Sequence, residues 1–169
     1  DVGGGADSTV EDEEIVDDED EGAGGGNGDV YVIDNDDGAY SETGDWVNRT
    51  NGYDYGYDWR RTRNDPNAVA TWNFSYVPSG KQWEIFAIWN AGDGRSEEAT
   101  YKIFDGGTQI AEVERDQTED EGDWISLGRY TFAGTPKVEL HQPSSGAGDS
   151  LCADAVGIVE KIPSSGRRF

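Results

Sequence analysis

Between residues 68 and 90 the hydrophobic pattern changes from one-sided to two-sided, and this change constrains the fold more than any other feature of the chain. In Ala68 to Ser75, the residues Ala68, Ala70, Trp72 and Phe74 share one face, while Val69, Thr71, Asn73 and Ser75 share the other. That is the alternation of a half-buried strand. In Lys81 to Asn90, Trp83, Ile85, Ala87 and Trp89 point one way, but Phe86 and Ile88 point the other. A strand apolar on both faces is covered on both sides, so something must lie over the outer surface of its sheet.

Further strands are predicted at Val30–Ile33, Ala99–Asp105, Thr108–Arg115, Asp123–Phe132, Lys137–His141 and Leu151–Val159, and helix signals are nearly absent. Many short strands joined by Gly-rich turns predict an all-β, two-sheet antiparallel β-sandwich, jelly-roll-like in form. With 169 residues, 34% of them hydrophobic, the chain fits one domain at residues 30–160. An acidic Gly-rich arm (residues 1–29) precedes that domain and a polar tail (161–169) follows it. The single Cys152 has no internal disulfide partner and reads as a small buried hydrophobe. Asp154 falls on the strand face of Val156 and Ile158, which predicts a partly buried carboxylate bonded to loop backbone.

The formal charge is −23, which excludes nucleic acid and anionic lipid as direct partners. Residues 1–29 carry twelve Asp or Glu and no Lys or Arg, and only four of the 13 basic residues are Lys. Such an acidic, Lys-poor surface suits a halophilic setting, where salt screens self-repulsion. The arm has the composition of flexible coil, so ordering it calls for its own domain, a neighbouring copy or cations. No apolar run reaches the ~20 residues of a membrane helix. There is also no basic-apolar signal segment, so a secreted, processed protein is expected.

The sharpest constellation is Tyr53, Tyr55, Tyr57 and Trp59. In an extended chain these rings would form one stripe. Aromatic planes pack on sugar C–H faces, and Asp54, Asp58, Asn48 and Asn51 would bind hydroxyls. Alternatively the stripe is core, or Gly52 and Gly56 bend the segment so that no stripe exists. Asp34, Asp36 and Asp37 cluster oxygen ligands of the kind Ca2+ takes, though an Asx-turn explains the same residues. Asn48-Arg-Thr50 and Asn73-Phe-Ser75 are glycosylation acceptor patterns. Catalysis finds little support, since a triad would depend on the single His141.

The stretch Val32 to Trp46 (VIDNDDGAYSETGDW) opens a series of segments. It continues through Gly52–Asp58 (GYDYGYD), Ala70–Phe74 (ATWNF), Trp83–Trp89 (WEIFAIW) and Ala99–Ile103 (ATYKI). It closes with Gly122–Phe132 (GDWISLGRYTF) and Ala153–Val156 (ADAV). In this order the segments resemble the golvesin C-terminal-type domain, a carbohydrate-binding-like module also appended to bacterial xanthan lyases. The resemblance implies an extracellular, non-catalytic β-sandwich and a structural role for Tyr57. Two functions follow. The first is a structural subunit of an extracellular filament or surface assembly, joined to neighbouring copies through residues 1–29. The alternative is a module recognising extracellular polysaccharide.

Overall fold

The computed structural model describes residues 27–50, 52, 54–143 and 149–162. Residues 1–26 of the expected arm, together with Asn51, Tyr53 and most of the tail, lie outside the described residues. Twelve strands and no helix are found among the described residues: β1 (Asn27–Ile33), β2 (Tyr40–Thr43), β3 (Val47–Arg49), β4 (Trp59–Arg63), β5 (Val69–Asn73), β6 (Gln82–Ala87), β7 (Ala99–Asp105), β8 (Thr108–Arg115), β9 (Ile125–Thr131), β10 (Pro136–His141), β11 (Ser150–Ala153) and β12 (Val156–Lys161). β1 begins at Asn27, inside the segment read as arm, and pairs there with Lys161.

The strands form antiparallel sheets in the orders β1-β12-β6-β9 and β2-β5-β10-β7-β8, with a small third sheet β11-β4-β3. This is the β-sandwich expected from the alternation, with one addition. Of the third sheet, β11 falls within the predicted Leu151–Val159 strand, whereas β3 and β4 are short and mostly polar, with a hydrophobic signal too sparse to read in advance. The first sheet sends Ile33, Trp83, Ile85, Leu127, Val156 and Ile158 into the core, and the second sends Ala70, Trp72, Val138, Leu140, Tyr101 and Ile103 to meet them. Trp72, Trp83, Trp89, Tyr101, Phe74 and Phe132 are the largest fully buried side chains. Rings of this size each remove roughly 150–250 Å² from water, so they dominate the core of so polar a chain.

Buried polar contacts tie the sheets to the segments that connect them. The indole of Trp72 donates to the carbonyl of Asp154 (3.2 Å), and that of Trp89 donates to the carbonyl of Glu119 (2.8 Å). Fully buried Gln117 donates to Tyr101 Oη (3.0 Å) and to the Cys152 carbonyl (2.8 Å), while its Oε1 accepts from the Cys152 N–H (2.8 Å). A side-chain amide thereby does for β11 what a neighbouring strand's backbone does elsewhere, leaving no buried peptide group of Cys152 unmet.

The segment read as one strand, Leu151 to Val159, is two. β11 pairs with β4 in the third sheet, and β12 pairs with β1 and β6 in the first, so the chain changes sheets at Asp154 and Ala155. Every residue from Ser150 to Gly157 is buried, so no alternation marks the change. Asp154 thus sits in the break rather than on a strand face.

Candidate functional site

Among the described rings, Tyr55, Tyr57 and Trp59 do not form a stripe. Gly52 and Gly56 adopt φ of +118° and +76°, and Tyr57 follows with φ +83°, so residues 54–58 turn instead of extending. Their close packing explains the glycines: a Cβ on Gly52 would collide with the Asn90 amide, and one on Gly56 with the Asp34 carboxylate. The rings consequently go to different places. Trp59 is 2% exposed in the core, with the Arg95 guanidinium 4.5 Å above its ring. Tyr57 is 90% exposed, and Tyr55 packs edge-on against Trp124, with ring centroids 5.6 Å apart. Trp59 is therefore a core residue, a correction to its reading as a sugar contact.

Four carboxylates surround or belong to this turn. Asp154 Oδ2 accepts the Tyr55 N–H (3.1 Å), and Asp58 Oδ1 accepts from the side chain of Asn35 (2.8 Å). Asp34 is buried against Gly56, and Asp54 Oδ2 is buried without a hydrogen-bond partner, as is Asp154 Oδ1. Burial, supported by the charges of Asp34, Asp54 and Asp58, pushes the Asp154 carboxyl up to about 8. Burial likewise raises Asp34 to about 6, with Asp36, Asp58 and Asp37 adding repulsion. The expected backbone bond of Asp154 is present, and its partner is the residue that carries the Tyr55 ring.

Asp34, Asp36 and Asp37 form a turn. The Asp37 N–H donates to the Asp34 carbonyl (3.1 Å), Asp37 Oδ2 accepts the Asp34 N–H (2.8 Å), and Asp34 Oδ1 accepts the Asn35 N–H (2.7 Å). This is the turn alternative to calcium. Among the described residues, no group of three or more His, Cys, Asp or Glu is arranged to hold a metal ion.

Two surface depressions stand out among the described residues. The first is a polar cleft of about 360 Å³ lined by Asn35, Asp36, Tyr40, Ser41, Glu42, Asn48, Asp58 and Arg60. It lies where the turn after β1 meets β2, β3 and the start of β4. Arg60 forks onto Glu42, Nε to Oε2 at 3.0 Å and Nη2 to Oε1, and Tyr40 Oη donates to the same carboxylate at 2.9 Å. Burial and the adjacent Glu42 push the Tyr40 phenol far up, so it stays a donor. Asn35 Oδ1 is buried without a donor. The cleft thus collects Asp36, Asn48 and Asp58 from the residues singled out in the sequence, with Tyr57 next to Asp58 in the chain. It adds Arg60, Glu42 and Asn35, which carried no sequence signal because their partners are distant in the chain.

The second depression, of about 340 Å³, is apolar and lies on the outer face of the first sheet, lined by Val30, Val32, Tyr55, Phe86, Trp124, Gly157 and Val159. It accounts for the two-sided pattern of β6, since Tyr55 and Trp124 cover part of the face that carries Phe86. Gly157 makes the room, because a Cβ there would stand 3.3 Å from the Trp124 ring. Of the two glycosylation patterns, Asn48 is exposed on β3 within the polar cleft, and Asn73 is exposed at the end of β5.

The family model of the golvesin C-terminal domain matches residues 31–160. Among solved structures, the chain is similar to a Paenibacillus xanthan lyase (TM-score 0.70, 23% identity), covering 79% of this chain but only 13% of that one. A family 35 carbohydrate binding module from Clostridium thermocellum aligns with TM-score 0.53 and 21% identity over 76% of this chain and 97% of its own. A family 35 module from Cellvibrio japonicus aligns with TM-score 0.55 and 14% identity over 79% of this chain and 98% of its own. A search of curated protein sequences finds no match. Among the described residues, no helix is long and apolar enough to cross a membrane.

Proposed function

Since the chain belongs to the golvesin C-terminal domain family, we propose that it is a non-catalytic carbohydrate-binding module that recognises an extracellular polysaccharide through the polar cleft. The observation that carries this reading is the convergence of Asn48, Asp58, Arg60 and Glu42 in one open cleft; Tyr57, which precedes Asp58 in the chain, is 90% exposed. Planar amide, carboxylate and guanidinium groups suit the paired hydroxyls of a sugar ring, because each offers two acceptor or donor atoms at fixed spacing. The ring of Tyr57 supplies the flat apolar surface that sugar C–H faces need. Its positive φ costs backbone energy of order 1–3 kcal/mol, and such strain clusters at ligand sites. The likeness to binding modules that align over nearly their whole length supports this reading above a filament subunit. The segment that would join such a filament lies almost wholly outside the described residues.

Retention on a panel of immobilised polysaccharides, measured with paired variants, tests the assignment. Tyr57→Ala and Asn48→Ala should leave stability within about 0.5 kcal/mol of the parent, as exposed positions do, and should weaken retention. Trp59→Ala should instead cost about 3–5 kcal/mol of stability, the range for emptying a buried aromatic site. Undiminished retention by both exposed-site variants would move the binding surface elsewhere. A parent protein retained by no polysaccharide would end the reading.

A further inference from the structure

One face of the third sheet gathers positive charge that the acidic domain does not neutralise. Trp59, Arg61 and Arg63 alternate along β4 and so share a face, and Arg49 and Val47 of β3 stand opposite Trp59 and Arg61 on it. Arg95 reaches the same face, with its guanidinium 4.5 Å over the Trp59 ring. Arg63 and Val47 are exposed, while Arg49, Arg61 and Arg95 are half-buried. Five other basic groups, Arg60, Lys81, Arg129, Lys137 and Lys161, each pair with a carboxylate. Among the described residues, no carboxylate comes within ion-pair distance of Arg49, Arg61, Arg63 or Arg95. Burial, and then the charges of Arg49, Arg63 and Arg95, lower the Arg61 guanidinium from its ordinary value.

We propose that this arginine face docks the acidic run Glu11–Glu21 of the same chain, which lies outside the described residues. Nine of the eleven residues in that run are Asp or Glu, and carboxylates are the groups that guanidinium forks take two-pronged. Its only interruptions are Ile15 and Val16, and Val47, 49% exposed among the arginines, offers them an apolar contact. The reach suffices. Sixteen residues separate Glu11 from Asn27, a span of up to about 50 Å when extended. The seven-residue β1 is only about 20 Å long, and the third sheet begins just past its far end, where Ile33 faces Val156 and β11 stops at Ala153. Tethering also holds the run at an effective concentration on the order of millimolar, which favours it over the same run from another copy. The inference is independent of the carbohydrate-binding reading. It makes the domain itself the partner that ordering the arm requires.

Paramagnetic broadening in the full chain tests the contact. A nitroxide on Thr9→Cys, beside the run, reports on the amides near it, while the buried Cys152 stays unlabelled. In dilute salt the signals of residues 47–49 and 61–63 should lose about half their intensity or more, and recover in molar NaCl, where the screening length is about 3 Å. Arg49→Gln with Arg61→Gln and Arg63→Gln should abolish the effect. Asp17→Asn with Asp18→Asn, Glu19→Gln, Asp20→Asn and Glu21→Gln should abolish it too, and this variant leaves the domain untouched. Lys102→Gln with Arg115→Gln and Arg129→Gln removes as much positive charge from β7, β8 and β9 and should leave the broadening intact. Circular dichroism verifies the fold of each variant. Equal losses in the two triple variants overturn the docking in favour of general attraction. Equal broadening in a mixture of spin-labelled chains with isotope-enriched, label-free chains moves the contact to a second copy and overturns the same-chain assignment. Absence of broadening in dilute salt overturns the proposal, and a shift of the same signals on adding an oligogalacturonate would then give the face to an anionic glycan.

Discussion

Replacing Asp154 by Asn should flatten the pH dependence of stability. Asp154 is 1% exposed, its Oδ2 accepts the Tyr55 N–H, and its Oδ1 has no hydrogen-bond partner. Asparagine keeps an oxygen for Tyr55 and removes the titrating charge at almost constant shape. The folded-state carboxyl is raised from 3.8 to about 8, so the folded protein holds this proton more tightly than the unfolded chain does. Stability from this group is therefore fully present below the unfolded value and falls as pH rises towards about 8. At about 1.36 kcal/mol per pKa unit, the whole interval amounts to at most roughly 6 kcal/mol. Asp34, Asp54 and Asp58 share the same repulsion, so one neutralisation should recover only part, on the order of 2 kcal/mol. For a domain of this size that is roughly 4–8 °C in melting temperature. Melting curves across the interval should therefore coincide in acid and separate towards alkaline pH, with Asp154→Asn the more stable. A variant less stable than the parent at alkaline pH would refute the reasoning, most clearly if its deficit grew with added calcium, because the carboxylate would then be holding a cation.

Two further outcomes follow from the packing. Gly56→Ala should destabilise by about 1–3 kcal/mol in denaturant titration, since its φ is +76° and its Cβ would collide with the Asp34 carboxylate. Cys152 should resist thiol reagents until the chain unfolds. Burial pushes its thiol far up, and its Sγ accepts the Asn90 N–H at 3.3 Å.

The sandwich was legible wherever burial was one-sided over several residues. Ala70, Trp72 and Phe74, like Trp83, Ile85, Ala87 and Trp89, are all buried on the face that the alternation assigns them. The outward Phe86 also signalled a covered surface, and the Tyr55–Trp124 pair supplies part of the cover. Legibility failed where local pattern and tertiary role diverge. Tyr53 to Trp59 repeats every second residue as a strand would, yet the glycines at 52 and 56 are held in turn conformations by Asn90 and Asp34, which lie far off in the chain. Periodicity cannot reveal such partners. The same holds for the cleft: Arg60 is set by Glu42 across two sheets, and Asn35 by Asp58. At Asp154 the change of sheet left no trace, because burial on every side erases the two-residue period.

Among the described residues, β1 and β12 are the first and last strands in chain order, and they are paired with each other. Asn27 stands opposite Lys161 on the ladder, a separation of about 5 Å between backbones. Both connections to the domain therefore enter and leave at one corner. A domain of this kind can be set into an exposed loop of a host protein as a cassette, with the host chain departing and returning through a gap scarcely wider than a hairpin. By the same geometry, a short glycine bridge from Lys161 back to Asn27 would close the domain into a circle, and new termini could be opened at a distant turn without breaking the β1–β12 ladder.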